Sequence, residues 1–451
     1  MIVDTVFINA KAYFKGQIVD CSIAVEEGKI QKIGRETQMP GADQRINLKN
    51  LLVLPGLIDE HVHLRDEGRA YKEDFASGTA AAAAGGFSTV LDMPNNDPVT
   101  MSVSTLRERM AVAYRKVLVN VGFYSEFPKR LSEVEEIVSE GAVAFKLFMG
   151  TQIGGVDVDE DEDLVSAFKE AANSKVPVAV HAEDKALLAA KEENLRMARQ
   201  TGIAAFQEAH SEKVELTAIE RVLRLCSLTG SARAHLHFCH VSTGSGLSAI
   251  DSVKKSGRDV TCEVTPNHLL LSASDLDRYG QLAIMAPPLR SKDDVEALWK
   301  GLEEGSVDCL GSDHAPHALK EKSASSVWDV KVGVPGLETT LPLVLTQVRK
   351  NRLSLDRAVQ LLAEKPAEIY GLSDVGRLEQ GKNADLAVVD FNQKFKIDAS
   401  KFKSKAKFSP YDGWEVFGKP VKTFVNGLLV FDEGEIVAKG GSGSIVRRDG
   451  V

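Results

Sequence analysis

The sequence predicts an α/β protein: a (β/α)8 TIM-type barrel with a small β-sandwich domain built from both termini. Three observations predict it. Eight short apolar runs alternate with helical patterns through the middle of the chain. Hairpin signals crowd both ends. The length of 451 residues suits one barrel of roughly 250 residues plus a smaller module. On this reading residues 1–52 and 376–451 form the small module and residues 53–375 the barrel. An open, doubly wound sheet is the other fold compatible with the same alternation.

The elements follow in order. Val6-Phe7-Ile8 and Ser22-Ile23-Ala24-Val25 read as strands, with a turn at Glu27-Gly28-Lys29. The barrel runs are 61–64, 89–93, 117–123, 143–149, 176–181, 235–240, 260–264 and 307–313. An Ala-rich helix over 79–84 ends at Gly85-Gly86. A second helix shows Leu355, Ala358, Val359 and Leu362 on one face, and Pro366 is expected to interrupt it. Strand texture returns at 385–389, and Asn426-Gly427 marks a hairpin. Glu433-Gly434-Glu435 repeats that logic. The Gly- and Ser-rich tail after Lys439 reads as mobile.

Composition narrows the function classes. With 64 acidic and 55 basic residues the net charge is −9. That argues against nucleic acid or an anionic membrane as partner. The five cysteines form no CxxC pair, which fits free, mostly buried thiols in a reducing compartment. No basic-then-apolar leader opens the chain and no run approaches 18 apolar residues, so a cytoplasmic protein is expected.

Barrel chemistry sits at the C-terminal strand ends. The polar groups there are His61, His63, Lys146, His181, His240 and Asp313. His61 and His63 are two residues apart on a strand and share a face, so both imidazoles can reach one cation. Two satisfied strand-end histidines are the bland alternative. Lys146 stands in an apolar run. Burial favours its neutral amine, which can capture carbon dioxide as a metal-bridging carbamate. Taken alone, the pattern favours a strand-edge lysine reaching water. Asp313 can bind a metal and carry a proton, or simply cap a helix. His235 and His237 lie on the other face and read as structural. The acidic run 157–163 reads as a helix start. No phosphate-binding glycine loop is present.

Jointly these segments resemble the amidohydrolase superfamily. They are Pro55-Gly56-Leu57-Ile58-Asp59-Glu60-His61-Val62-His63, Phe145-Lys146, His181-Ala182-Glu183, His240-Val241-Ser242-Thr243 and Gly311-Ser312-Asp313-His314-Ala315-Pro316-His317. Gly376 to Asp385 resembles the family's return into its β domain. The resemblance covers nearly the whole chain. It implies two divalent metal ions, with zinc the family's expectation, held by His61, His63, Lys146, His181, His240 and Asp313. Lys146 would carry a CO2-derived carbamate. Asp313 would be the proton-carrying catalytic residue.

Within the superfamily the chain looks most like the dihydroorotases. Arg65, two residues past His63, stands where that family binds the substrate carboxylate. Met93-Pro94-Asn95 and His317 match its substrate segments, and Val332-Gly333 falls where backbone contacts to the pyrimidine ring are expected. The implied substrate contacts are His63, Arg65, Asn95, His317, Val332 and Gly333. The implied ligand is small and anionic, N-carbamoyl-L-aspartate or dihydroorotate, and the family is often homodimeric. Two departures stand out. Asp66-Glu67-Gly68 replaces the usual Glu-Pro-Gly. Ala286 occupies the asparagine position of the Asn-Pro-Pro-Leu-Arg segment, as in allantoinases and hydantoinases. Those cyclic-amide hydrolases are the alternative function, and a catalytically inactive scaffold is the more distant one. The lysine- and serine-rich loop 318–331 is expected to cover the site.

Overall fold

The structure, a computed structural model, describes residues 2–230 and 233–450. The N-terminal runs become β1 (Ile2–Phe14), β2 (Gln17–Glu26), β3 (Lys29–Gly34), β4 (Gly41–Asn47) and β5 (Leu52–Pro55). Phe7, Ile23, Val25 and Ile30 all turn to one buried face. A one-residue slip would expose that set, so the side chains fix the pairing register.

Eight parallel strands follow: β6 (Leu57–Val62), β7 (Phe87–Asp92), β8 (Asn120–Glu126), β9 (Ala142–Phe148), β10 (Val178–His181), β11 (Leu236–Phe238), β12 (Val260–Val264) and β13 (Cys309–Leu310). They pair in chain order. The ring draws shut where Val62 bridges to His314 and the His63 amide donates to the His314 carbonyl at 2.9 Å. The eight runs expected from sequence are thus a barrel, not an open sheet. Leu106, Ile137, Leu164, Ile219, Ile250 and Leu298 from the surrounding helices lie in the core cluster outside the strands. Ile58, Leu91, Tyr124, Ala144, Ala179 and Cys239 pack together in a second cluster inside. Strands buried on both faces read as continuous apolar runs, which is why they were visible in the sequence.

The chain then returns as β14 (Leu386–Lys396), β15 (Glu415–Val425), β16 (Leu428–Asp432) and β17 (Glu435–Ile436), joining β1–β5 in one nine-stranded mixed sheet. Asn426 and Gly427, both at positive φ, turn β15 into β16. The Phe7 and Phe424 rings meet edge to face at 4.7 Å, although β14 and β5 separate their strands in the sheet order. The sheet therefore folds over itself as a sandwich.

Two expectations are corrected. Pro366 does not end its helix. A five-residue π-helical stretch, Gln360–Glu364, precedes it and places it at the start of a new α-helical segment, Lys365–Ile369, where its missing N–H costs little. The tail after Lys439 is docked rather than loose. The Gly441 and Gly443 amides donate to the Val117 carbonyl and the Val446 amide to that of Val121. Arg448 reaches the carbonyls of Val143, Lys175 and Ile369 at the N-terminal end of the barrel. A side chain at Gly443 would collide with the Val119 carbonyl, so glycine here serves close approach rather than flexibility. Among the described residues no helix is long and apolar enough to cross a membrane. All five cysteines are free and four of them are buried.

Candidate active site

The polar strand ends converge at the C-terminal mouth of the barrel. They open on a cavity of about 420 Å³ lined by His61, His63, His181, His240 and Asp313. Asp313 Oδ1 lies 3.3 Å from His63 Nε2 and 3.6 Å from His61 Nε2. His181 Nδ1 faces His240 Nε2 at 3.0 Å. Lys146, on β9, is fully buried, with Nζ 2.9 Å from Cys239 Sγ. Arg65, His240 and Asp313 all have positive φ. Side-chain-bearing residues adopt that conformation only under local constraint, and such residues gather at functional sites.

Partners orient the imidazoles from behind. Glu263 holds Nδ1 of His61, Asn95 Oδ1 holds Nδ1 of His63 at 2.7 Å, and Glu183 Oε2 holds Nε2 of His181 at 2.8 Å. In each ring the other nitrogen faces Asp313 or His240. Burial pushes His63 down to about 3, against the pull of its Asp313 contact. Burial, then repulsion from His181 and His61, keeps His240 well below the usual histidine range. Burial opposes charge on Asp313, but the His63 hydrogen bond and the nearby imidazoles outweigh it and hold the carboxyl below its ordinary value. Braced imidazoles beside an ionised carboxylate are the donor set of a first-row divalent metal. His61, His63 and Asp313 have ligand atoms close enough to share one ion. His181 and His240 form the second converging pair. The residues therefore fit a two-metal centre.

Arg65, Asn95, His317, Val332 and Gly333 line the same cavity, as does Ala286. His317 Nδ1 lies 3.0 Å from Lys72 Nζ, a donor, so its Nε2 carries the proton given to the Val332 carbonyl at 2.9 Å. Nε2 is then no acceptor for Arg65, whose Nη2 stands 3.5 Å away. Arg65 Nε has no partner, the residue is 7% exposed, and among the described residues it forms no ion pair. A buried guanidinium without an acceptor is therefore aimed at the cavity. The carbonyl of Val332 and both backbone polar groups of Gly333 are engaged within the protein. From the loop 318–331, Val327, Trp328, Val330 and Lys331 form one wall, so this loop does border the cavity.

Sequence reasoning missed the bracing roles of Glu263 and Glu183 and the part played by Lys322. Lys322 Nζ donates to the carbonyls of Ile284, Lys331 and Gly333 at 2.8–2.9 Å and ties the loop down. Glu263 left one signal, an acid inside the apolar run 260–264.

The family model described as "Amidohydrolase family" matches residues 52–430. The L-hydantoinase of Paenarthrobacter aurescens is 34% identical over 99% of this chain and 98% of its own. The dihydroorotase of Methanothermobacter thermautotrophicus is 36% identical over 95% of each. Among solved structures, the L-hydantoinase (dihydropyrimidinase) from Arthrobacter aurescens superposes with a TM-score of 0.94 at 34% identity, covering 99% of this chain and all of that one. The chain belongs to the amidohydrolase family, in its cyclic-amide-hydrolysing branch.

Proposed function

We propose that the protein is a dihydroorotase, interconverting N-carbamoyl-L-aspartate and L-dihydroorotate for pyrimidine synthesis. The observation that carries this reading is Arg65, a buried guanidinium with no acceptor among the described residues. A neutral cyclic amide would leave it unpaired at a cost of several kcal/mol. A substrate carboxylate satisfies it with two parallel hydrogen bonds. His63, Asn95 and His317 border the same cavity, with Val332 and Gly333 as its wall.

His61, His63 and Asp313 would hold one metal and His181 with His240 the other, with carboxylated Lys146 between them. Zinc is the family's expectation, and the donor set suits it as it does other first-row ions. Such ions polarise a carbonyl and make water acidic enough to attack at neutral pH. The chain's own residues do the rest. Arg65 anchors the carboxylate and so sets which ring carbonyl lies over the histidines. Asp313, ionised at neutral pH, takes the proton of the attacking water and passes it to the departing ring nitrogen. In reverse it takes a proton from the carbamoyl nitrogen as the ring closes. The loop 318–331 limits water around the bound ring.

A hydantoinase reading also has observations in its favour. Ala286 offers no side-chain hydrogen bond, and Phe148, Phe206 and Trp328 make the cavity partly apolar. The relatives carry both names at similar identity. Purified protein of known metal content, assayed on L-dihydroorotate, allantoin and hydantoin with and without chelator, separates the two. Chelator-sensitive turnover of dihydroorotate in preference to the neutral rings is expected. Preference for hydantoin or allantoin would refute the reading.

A further inference from the structure

Inside the barrel, below the lining of the mouth cavity, lies a second group of ligating side chains. Glu60 on β6, His237 on β11 and Glu263 on β12 are all fully buried. Each offers one ligand atom, and the three lie within 4.8 Å of one another. Among the described residues, neither carboxylate oxygen of Glu60 has a hydrogen-bond partner. Neighbouring Asp59, also fully buried, has one unpartnered oxygen. Among the described residues no lysine or arginine forms an ion pair with Asp59, Glu60 or Glu263. A buried carboxylate in that position must be neutralised or ligated.

His237 is set up to ligate. Thr261 Oγ1 holds its Nδ1 at 2.9 Å, fixing the ring from behind, while Nε2 points to Glu263 Oε2 at 3.2 Å.

We propose that Glu60, His237 and Glu263 form a further divalent-cation site in the barrel interior. One imidazole and two carboxylates suit Zn2+ and its first-row neighbours. The site would be linked to the mouth, because the other oxygen of Glu263 accepts from His61 Nδ1 and from the His240 amide. A cation there neutralises Glu60 and fixes the Glu263 carboxylate that orients His61. His237, which the sequence marks as structural, becomes a ligand of this inner site.

The inference does not depend on which cyclic amide is hydrolysed, and its test uses no substrate. Protein reconstituted with Zn2+ alone and desalted is analysed by mass spectrometry for metal content. Wild type should carry one more zinc per chain than Glu60→Gln and His237→Gln, whatever the number at the mouth. Diffraction data from wild-type crystals at the zinc edge should show an anomalous peak among Glu60, His237 and Glu263, apart from any at His61 or His181. Equal zinc content in all three proteins, or anomalous peaks at the mouth only, overturns the proposal and leaves Glu60 neutralised by a proton. The crystallographic arm needs no substitution, so it decides the matter even if a variant fails to fold.

Discussion

Replacing Arg65 by glutamine isolates the interaction on which the substrate reading rests. The guanidinium has no acceptor among the described residues, so the change removes no ion pair seen there. Burial already pulls the group down to about 10, so its loss relieves a desolvation cost, and thermal stability should hold or rise. The loss falls on the substrate. Two charge-assisted hydrogen bonds to a carboxylate are worth about 1.5–3 kcal/mol each. Together that is roughly a 10²–10⁴-fold drop in kcat/KM for dihydroorotate. Hydantoin has no carboxylate, and its residual turnover should change only a few-fold. Steady-state kinetics on both substrates, with zinc content checked in both proteins, is the assay. A parallel fall for the two substrates would mean that Arg65 supports the site generally. A dihydroorotate rate within a few-fold of wild type would mean that it does not bind the carboxylate.

Three further outcomes are expected. Glu183 accepts from His181 and from His210 Nδ1, so Glu183→Gln unbraces a ligand and should weaken zinc binding roughly 10–100-fold in a chelator competition; unchanged affinity would deny that role. Lys322→Met removes a donor from three carbonyls, of which Ile284's keeps the Gly333 amide, so it should cost about 2 kcal/mol, expose the 318–331 loop to protease and raise KM more than it lowers kcat; a loop as resistant as in wild type would refute the clamp. Burial pushes Asp385 up to about 7, against hydrogen bonds from the Asn426 amide and the Asn120 side chain. The folded protein therefore holds a proton that the unfolded chain has released. The stability this confers is complete below about pH 4 and is lost as pH rises through about 7, at most about 4 kcal/mol. Urea unfolding at pH 5 and pH 8 should show the loss in wild type and a smaller one in Asp385→Asn; identical slopes would sink the assignment.

What the sequence made legible follows the range of the forces involved. The barrel was readable because strands buried on both faces need unbroken apolar runs, and alternation with helices is a local pattern. Edges were less so. The first strand, expected at 61–64, is Leu57–Val62, because the buried acids Asp59 and Glu60 break the apolar run that pairs. The last, expected over 307–313, has only two paired residues, because the chain leaves the ladder before Asp313 takes its positive φ. The tail looked mobile because its glycines and serines carry no apolar pattern, yet Gly443 is small so that the chain can lie against Val119.

The candidate site divides along the same line. His61, His63, His181, His240 and Asp313 could be nominated one by one, since each ends a strand. Their orientation could not, since Glu263 braces His61 from 202 residues away. Asn95 illustrates the difference. Its segment resembles a substrate contact, and in the fold its side chain also holds the His63 ring, so its loss would disturb a ligand as well as a substrate contact. Arg65 is the sharper case. Its spacing from His63 nominates a carboxylate anchor, but a salt-bridged surface arginine could have the same spacing. In the fold, Lys72 and Val332 bear on the choice. By occupying both nitrogens of His317, they leave the guanidinium without an acceptor among the described residues, which is what supports the anchor reading.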